Sequence, residues 1–222
     1  MASVPETIDA AAGVTDDDAD DDAGGVVAGG VVWDDFFPLL AASETKLEYH
    51  HGRVIEMAGG KSNHEILCAA LMLILGRVLD LKAFFPFAGA GVADREFAYY
   101  FPDVVVAAKP LQWKRTGGVD HLAEPVVVAE VLSPSTQRFD RGEKFATYTA
   151  MGSVRVVLLI AADEPRVEVF VRSSGTGNWG QSAAEGTDGS VDVPLAGESV
   201  VVPMGELYAD VDLTAGGPAA AE

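Results

Sequence analysis

The sequence predicts an α/β fold, a sheet of buried strands with helices packed against it. Two observations carry that expectation. Val104-Val105-Val106 and Val126-Val127-Val128-Ala129, the latter running on to Val131-Leu132, are β-branched or apolar runs bounded by prolines, the pattern of strands buried on both faces. Between Lys61 and Leu81, Ile66, Leu67, Ala70, Leu71, Ile74 and Leu75 recur at helical spacing and make one broad apolar face. A chain of 222 residues, 49% hydrophobic, is long enough to close these elements over one proper core.

Taken in order, the first 30 residues are mostly Ala, Gly and Asp, including Asp16-Asp17-Asp18 and Asp20-Asp21-Asp22. Such a segment buries too little apolar area to offset its ordering entropy, so residues 1–30 are expected to be a disordered acidic tail. It reads either as a solubilising tail or as an electrostatic mimic of DNA that occludes a site. The folded domain is expected over 31–213 and a loose tail over 214–222. Trp33 to Ser43 reads as a short helix packing Phe36, Phe37 and Leu40. Lys46–His51 and Arg53–Met57 alternate around Gly52 as a hairpin. Lys61–Leu81 is a helix with Ser62 or Asn63 as N-cap and His64 in its first turn. Phe84–Ala107 is strand-rich with a turn near 93–97, and Lys109–Ala123 reads as a polar loop. There Trp113 lies beside Lys114 and Arg115, a combination suited to stacking on bases or to a packed Trp in a mobile loop. Ser135 or Thr136 caps a helix from Gln137 to Met151, on which Arg138, Arg141, Lys144 and Tyr148 share a face while Phe139, Ala146 and Ala150 turn to the core. Val154–Ala161 and Arg166–Arg172 form a second hairpin. Strands near Trp179, Val191–Val193 and Val200–Pro203 and a short element at Leu207-Tyr208 complete the domain.

The net charge of −19 is unevenly placed. Residues 1–45 carry 11 acids and residues 173–222 carry 8, neither with any Lys or Arg, whereas 46–172 balance 15 acids with 15 bases. The body is thus neutral and the total charge does not exclude a nucleic-acid partner. A lone cysteine, Cys68, precludes an internal disulfide and fits a reducing, cytoplasmic setting. No apolar run reaches the ~18 residues of a membrane span, so no membrane partner is expected. The N-terminus lacks the basic start of a secretory signal.

Two acids stand out. Asp103 opens one buried run and Glu130 interrupts the other. A charge at the rim of such a strand costs several kcal/mol unless it is paired, solvated or bound to metal. Neighbouring strands that bring the two together would hold a hard cation, and Mg²⁺ suits one or two carboxylates with water and phosphate completing its shell. Glu48 and Glu56 on the first hairpin are the candidates for a third acid.

Pro102-Asp103 with Glu130 resembles the PD-(D/E)xK nuclease superfamily. Leu47-Glu48-Tyr49, His64, Phe101-Pro102-Asp103, Glu130-Val131-Leu132-Ser133-Pro134-Ser135-Thr136, Asp140, Lys144 and Tyr148 resemble, more closely, the Uma-type restriction-endonuclease family of bacteria, over roughly residues 34–212. The resemblance implies a restriction-endonuclease-like fold, a central mixed β-sheet flanked by helices. It implies metal-dependent endonuclease activity on phosphodiester bonds, in DNA, with Mg²⁺ as cofactor and Mn²⁺ able to substitute. DNA would be the partner, and a homodimer is compatible with it. It favours Glu48 over Glu56, and assigns Asp103, Glu130 and Glu48 to the metal and Lys144 and His64 to catalysis. The superfamily's lysine normally stands two residues after the second acid, where this chain has Leu132; Lys144 would reach in from the helix instead. Two other readings use the same residues: a catalytically silent nuclease fold binding nucleic acid or a protein, and a structural protein whose acids pair with Arg138 or Arg141.

Overall fold

The computed structural model describes residues 25–57, 62–95, 97–134, 136–196 and 198–214. A short strand β1 (Val26–Ala28) precedes helix α1 (Trp33–Ala42), and a hairpin follows, β2 (Leu47–His50) and β3 (Arg53–Glu56). Both residues of its turn have positive φ, His51 at 46° and Gly52 at 88°. Such turns match the twist of paired strands, which is why the second position is glycine. Helix α2 (Ser62–Val78) leads to β4 (Phe84–Ala88), β5 (Val92–Asp94), β6 (Ala98–Tyr100) and β7 (Val104–Ala108). Then come β8 (Trp113–Thr116), β9 (Val119–Leu122) and the long β10 (Pro125–Leu132). Helix α3 starts at Gln137–Phe139, passes through a π-helical turn at Asp140–Lys144 and ends in Phe145–Ala150. Strands β11 (Val156–Ala161), β12 (Arg166–Arg172), β13 (Trp179–Glu185), β14 (Ser190–Leu195) and β15 (Glu198–Pro203) and helix α4 (Met204–Leu207) close the chain.

These strands form two mixed sheets and a ribbon. The central sheet runs β13-β12-β11-β10-β7-β4 and the other β1-β3-β2-β6-β5-β9-β8, with β14-β15 apart. In the central sheet only β10 and β11 run parallel, joined through α3 as a crossover, and β7 lies antiparallel on the other side of β10. Alternation along the strands makes two cores. Val104, Val106, Val127, Ala129 and Val131 pack with Leu67, Leu71, Ile74 and Leu75 of α2. Val105, Ala107, Val128 and Leu132 pack with Phe139 and Tyr148 of α3 and with Ile55 and Tyr100 of the second sheet. The far side of that second sheet is covered by α1, through Phe36, Phe37, Leu47, Tyr49 and Tyr99. Helix α3 is therefore held between the two sheets.

Three expectations need correction. The acidic tail expected over 1–30 does not reach residue 30: Val26 and Ala28 pair with Ile55 and Val54 of β3. The rest of that tail, up to residue 24, and residues 215–222 lie outside the described residues. The loop expected over 109–123 is the β8–β9 hairpin, pairing Trp113 with Leu122 and Lys114 with His121. Its Gly117 (φ 54°) sits so close to Phe37 that an added Cβ would lie 2.2 Å from the Phe37 Cβ, so this hairpin docks on α1 only because the side chain is missing. On α3, Ala146 and Ala150 are exposed, not in the core. Among the described residues no helix is long and apolar enough to cross a membrane.

Candidate active site

Asp103 and Glu130 are brought together by the register of β7 on β10. The last paired residues are Val104 and Ala129, so the next positions, Asp103 and Glu130, stand side by side where the ladder ends. Side chains take over the hydrogen bonding there. The Val131 N–H donates to Asp103 Oδ2 at 2.7 Å, and the Asp103 N–H donates to Glu130 Oε2 at 3.3 Å. Glu130 shares its face of β10 with Val128 and Leu132 and so meets α3. Its Oε1 accepts from Tyr148 Oη at 2.5 Å and from Lys144 Nζ at 3.3 Å.

Lys144 is 1% exposed and stands among three carboxylates. Glu48 Oε2 lies at 3.1 Å, Glu130 Oε1 at 3.3 Å and Asp140 Oδ1 at 3.5 Å. Its other neighbours are rings, Tyr100 and Phe139, with centroids 5.6 and 5.8 Å from the ammonium. Glu48 comes from β2, where Leu47 and Tyr49 turn toward α1 and Glu48 turns toward α3. The Phe101 N–H donates to its Oε1 at 2.8 Å. Its Oε2 is near the ammonium but receives no well-directed hydrogen bond among the described residues.

The π turn explains why the expected basic face does not exist. Widening the helix by one residue shifts the phase, so Asp140, Lys144 and Tyr148 all point inward, Asp140 and Lys144 being buried. Arg141 instead leaves the site and makes a bidentate pair with Glu168, at 2.9 and 2.8 Å. Arg138 is exposed.

His64 approaches Asp103 from the α2 side, with Nε2 3.1 Å from Asp103 Oδ2 and Nδ1 3.7 Å from Cys68 Sγ. His64, Cys68 and Asp103 offer donor atoms that lie within 4.8 Å of one another. Among the described residues, Asp103, Glu130 and Glu48 do not form such a set, because Lys144 stands between Glu48 and Glu130.

Burial and charge set the protonation of this cluster. Burial pushes Glu130 well above the usual carboxylate range and raises Glu48 and Asp140 too, with Lys144 pulling each the other way. Burial also opposes the Lys144 ammonium, but Glu130, Glu48 and Asp140 outweigh it and hold the lysine charged. One ammonium cannot balance three carboxylates, and the cluster is short of positive charge. At Asp103 burial works upward, but the His64 hydrogen bond and charge and the Val131 N–H overcome it and keep the carboxyl below its ordinary range. His64 is the counterpart: burial opposes its charge, the Asp103 hydrogen bond overrides that, and its pKa is pushed up to about 11.

Residues 33–204 match the family model Uma2, described as "Putative restriction endonuclease". The chain belongs to this family. Within the curated proteins, this Uma2 member is 29% identical over 140 residues to slr1290 of Synechocystis sp. (strain ATCC 27184 / PCC 6803 / Kazusa), covering 60% of this chain and 70% of that protein. It is 29% identical over 137 residues to sll1609 of the same organism, covering 60% and 76%. Its fold is similar to the crystal structure of "a putative nuclease belonging to DUF820" from Anabaena variabilis ATCC 29413, with a TM-score of 0.64 and 18% identity over 81% of this chain and 98% of that one. The α/β, restriction-endonuclease-like fold expected from the sequence is thereby established.

All five residues singled out in the sequence of this Uma2 protein, Glu48, His64, Asp103, Glu130 and Lys144, meet in one place. Sequence reasoning passed over Cys68 as a site residue, though it is one helical turn after His64. It also passed over His50, two positions after Glu48 and so on the same face of β2. His50 Nε2 lies 2.9 Å from Glu143 Oε2, and its Nδ1 is in contact with Tyr100 Oη. Arg53 also reaches Glu143 Oε2. These contacts tie β2, β6 and α3 together around the cluster.

Proposed function

We propose that this chain is a metal-dependent endonuclease that hydrolyses phosphodiester bonds, with DNA as substrate. The observation that carries the reading is the pairing of Asp103 and Glu130 at the end of β7 and β10, with Lys144 on Glu130. The donor set suits a hard divalent cation such as Mg²⁺, or Mn²⁺ in its place. Two carboxylates sit side by side, Glu48 Oε2 is buried without a directed hydrogen bond, and positive charge is in deficit. Asp103 and Glu130 hold the ion in this reading and Glu48 takes an outer position. Such an ion polarises the phosphate and lowers the pKa of a bound water.

The chain's own groups have distinct tasks. His64 keeps Asp103 ionised and turned toward the Val131 N–H, the state a ligand needs. Tyr148 fixes one oxygen of Glu130 and leaves Oε2 toward Asp103. Lys144, held charged, is the group placed to orient the attacking water or to stabilise charge developing on the phosphate. Its burial favours a second reading, a silent nuclease fold that binds nucleic acid, because the ammonium must give up carboxylate contacts to meet a substrate.

The test is cleavage of plasmid and single-stranded DNA with Mg²⁺ and with Mn²⁺, comparing wild type with Asp103→Ala, alongside calorimetric titration of Mn²⁺. Metal-dependent cleavage and saturable Mn²⁺ binding, both lost in Asp103→Ala, are expected. Mn²⁺ binding unchanged by that substitution, or no cleavage by the wild type with either ion, would overturn the proposal.

A further inference from the structure

A cavity of about 580 Å³ opens on the α1 side of the seven-stranded sheet, the side away from Lys144. Its volume is that of an ordinary small-ligand site. Five of its lining residues give it a specific chemistry: Trp33 from α1, Arg95 and Phe97 from the β5–β6 turn, Lys114 from β8 and His121 from β9. None of them belongs to the carboxylate cluster.

Two observations point to a ligand. His121 is only 4% exposed, and its Nδ1 has no hydrogen-bond partner among the described residues. That nitrogen is closed to solvent, and the ring that carries it forms part of the cavity wall. Burial, with Lys114 acting in the same direction, outweighs a hydrogen bond to the Val119 backbone and the pull of Asp120 and pushes the imidazole below its ordinary pKa. The second observation is the company it keeps. Phe97 is 50% exposed at the cavity, and Trp33 uses edge contacts to Phe37 and Tyr49. Arg95 and Lys114 are exposed and have no ion-pair partner among the described residues. Arg95 holds a left-handed backbone, φ 52°, uncommon for a residue with a side chain.

Flat rings and two exposed cations in a single cavity match the base and the phosphate of a nucleotide. We infer that this cavity binds one nucleotide unit, the base against Trp33 and Phe97 and the phosphate at Arg95 and Lys114, with the His121 ring as part of the wall. The unit is either a free mononucleotide or an unpaired nucleotide within a strand. The site is separate from the proposed catalytic cluster and does not depend on cleavage.

The full-length protein without metal is titrated with deoxyadenosine monophosphate, with a six-residue deoxyadenosine oligonucleotide and with inorganic phosphate, following Trp fluorescence and heat. Saturable binding of the mononucleotide is expected if the occupant is free, and of the oligonucleotide alone if it belongs to a strand. In either case affinity falls on the order of tenfold in Phe97→Ala and in the double variant Arg95→Ala, Lys114→Ala, as loss of a stacked base does elsewhere. These three side chains are exposed, and unchanged melting temperatures would show that the variants fold. The titrations are made without metal, where cleavage plays no part, so failure of the nuclease reading leaves this result intact. No saturable binding of either nucleotide ligand, phosphate binding as tightly as the mononucleotide, or full affinity in both variants overturns the inference.

Discussion

Lys144 has an environment that a lysine on an amphipathic helix would not have. At spacing four from Asp140 it looks like half of a surface pair, which contributes only about 0.3–0.5 kcal/mol. In the structure it is buried with three carboxylates, so removing it leaves uncompensated buried charge, a loss of about 3–5 kcal/mol. Lys144→Met should therefore lower the metal-free stability at pH 7 by about 3 kcal/mol or more in urea unfolding. The sign of its pH dependence follows from the acids. Glu130, Glu48 and Asp140 have folded-state pKa values above those of the unfolded chain, so the penalty of burying them is full at high pH and vanishes as pH falls below the ordinary carboxylate range. The deficit of Lys144→Met should shrink on acidification toward pH 4. A deficit under 1 kcal/mol at pH 7 would mean the ammonium is solvated in solution. What the sequence carried at this scale was residue identity: two acids in buried runs cannot be idle. It did not carry the burial of Lys144, because a single π turn alters the phase and helical periodicity assumes none.

The elements that frame the cluster are fastened to α3 by His50. Its Nε2–H is placed to donate to Glu143 while Nδ1 accepts from Tyr100, an arrangement that uses the neutral ring. Burial, aided by His51 and Arg53, lowers its pKa to about 4, so the short contact with Glu143 is a hydrogen bond of a neutral imidazole and not an ion pair. The unfolded chain takes up a proton near pH 6.5 and the folded chain does not until about pH 4. Stability is thus lost as pH falls through that window, by up to about 3 kcal/mol. In His50→Gln this contribution is absent. The stability difference between wild type and variant should narrow steadily from pH 7 to pH 4, measured by urea unfolding; a pH-independent difference would show that His50 titrates alike in the folded and unfolded chain. Legibility at this scale followed hydrophobicity. The valine runs of β7 and β10 and the apolar face of α2 were readable because burial on both faces leaves no room for polar residues. The strands β8 and β9 were not, because Trp113-Lys114-Arg115-Thr116 is the edge strand of its sheet and Val119-Asp120-His121-Leu122 lies next to it, where exposed positions tolerate charge. Strand alternation there sends Lys114 to the nucleotide cavity and leaves Arg115 paired with Asp120 at 2.7 and 2.6 Å, so the cluster Trp113-Lys114-Arg115 read from the sequence is not one surface.

For the whole molecule, the distribution of charge decides how it meets an anionic polymer. Of the net −19, eight acids lie within residues 1–24: Glu6, Asp9, Asp16, Asp17, Asp18, Asp20, Asp21 and Asp22. Residues 46–172 are balanced and the other eleven unbalanced acids are spread over 25–45 and 173–222, so these eight form the densest block of negative charge that DNA encounters. The fold fixes where a truncation has to stop. The Glu56 N–H donates to the Gly25 carbonyl, Val26–Ala28 pairs with β3, and the Val31 N–H donates to the Gly52 carbonyl. A chain lacking residues 1–24 keeps all of these and should melt within about 1 °C of the full chain, whereas one lacking residues 1–30 exposes the β3 edge and should melt lower. The shorter truncation should also bind a DNA duplex more tightly at low salt. Eight like charges repel the phosphates over a screening length of roughly 30 Å at 0.01 M and about 8 Å at 0.15 M, so the gain should fade as salt rises. Fluorescence anisotropy across that range separates the two roles weighed for the segment. Affinity unchanged at 0.01 M by removal of eight acids would leave it a solubilising tail without influence on the site. A gain that persisted undiminished at 0.15 M would mean the segment acts by direct contact, not through its field.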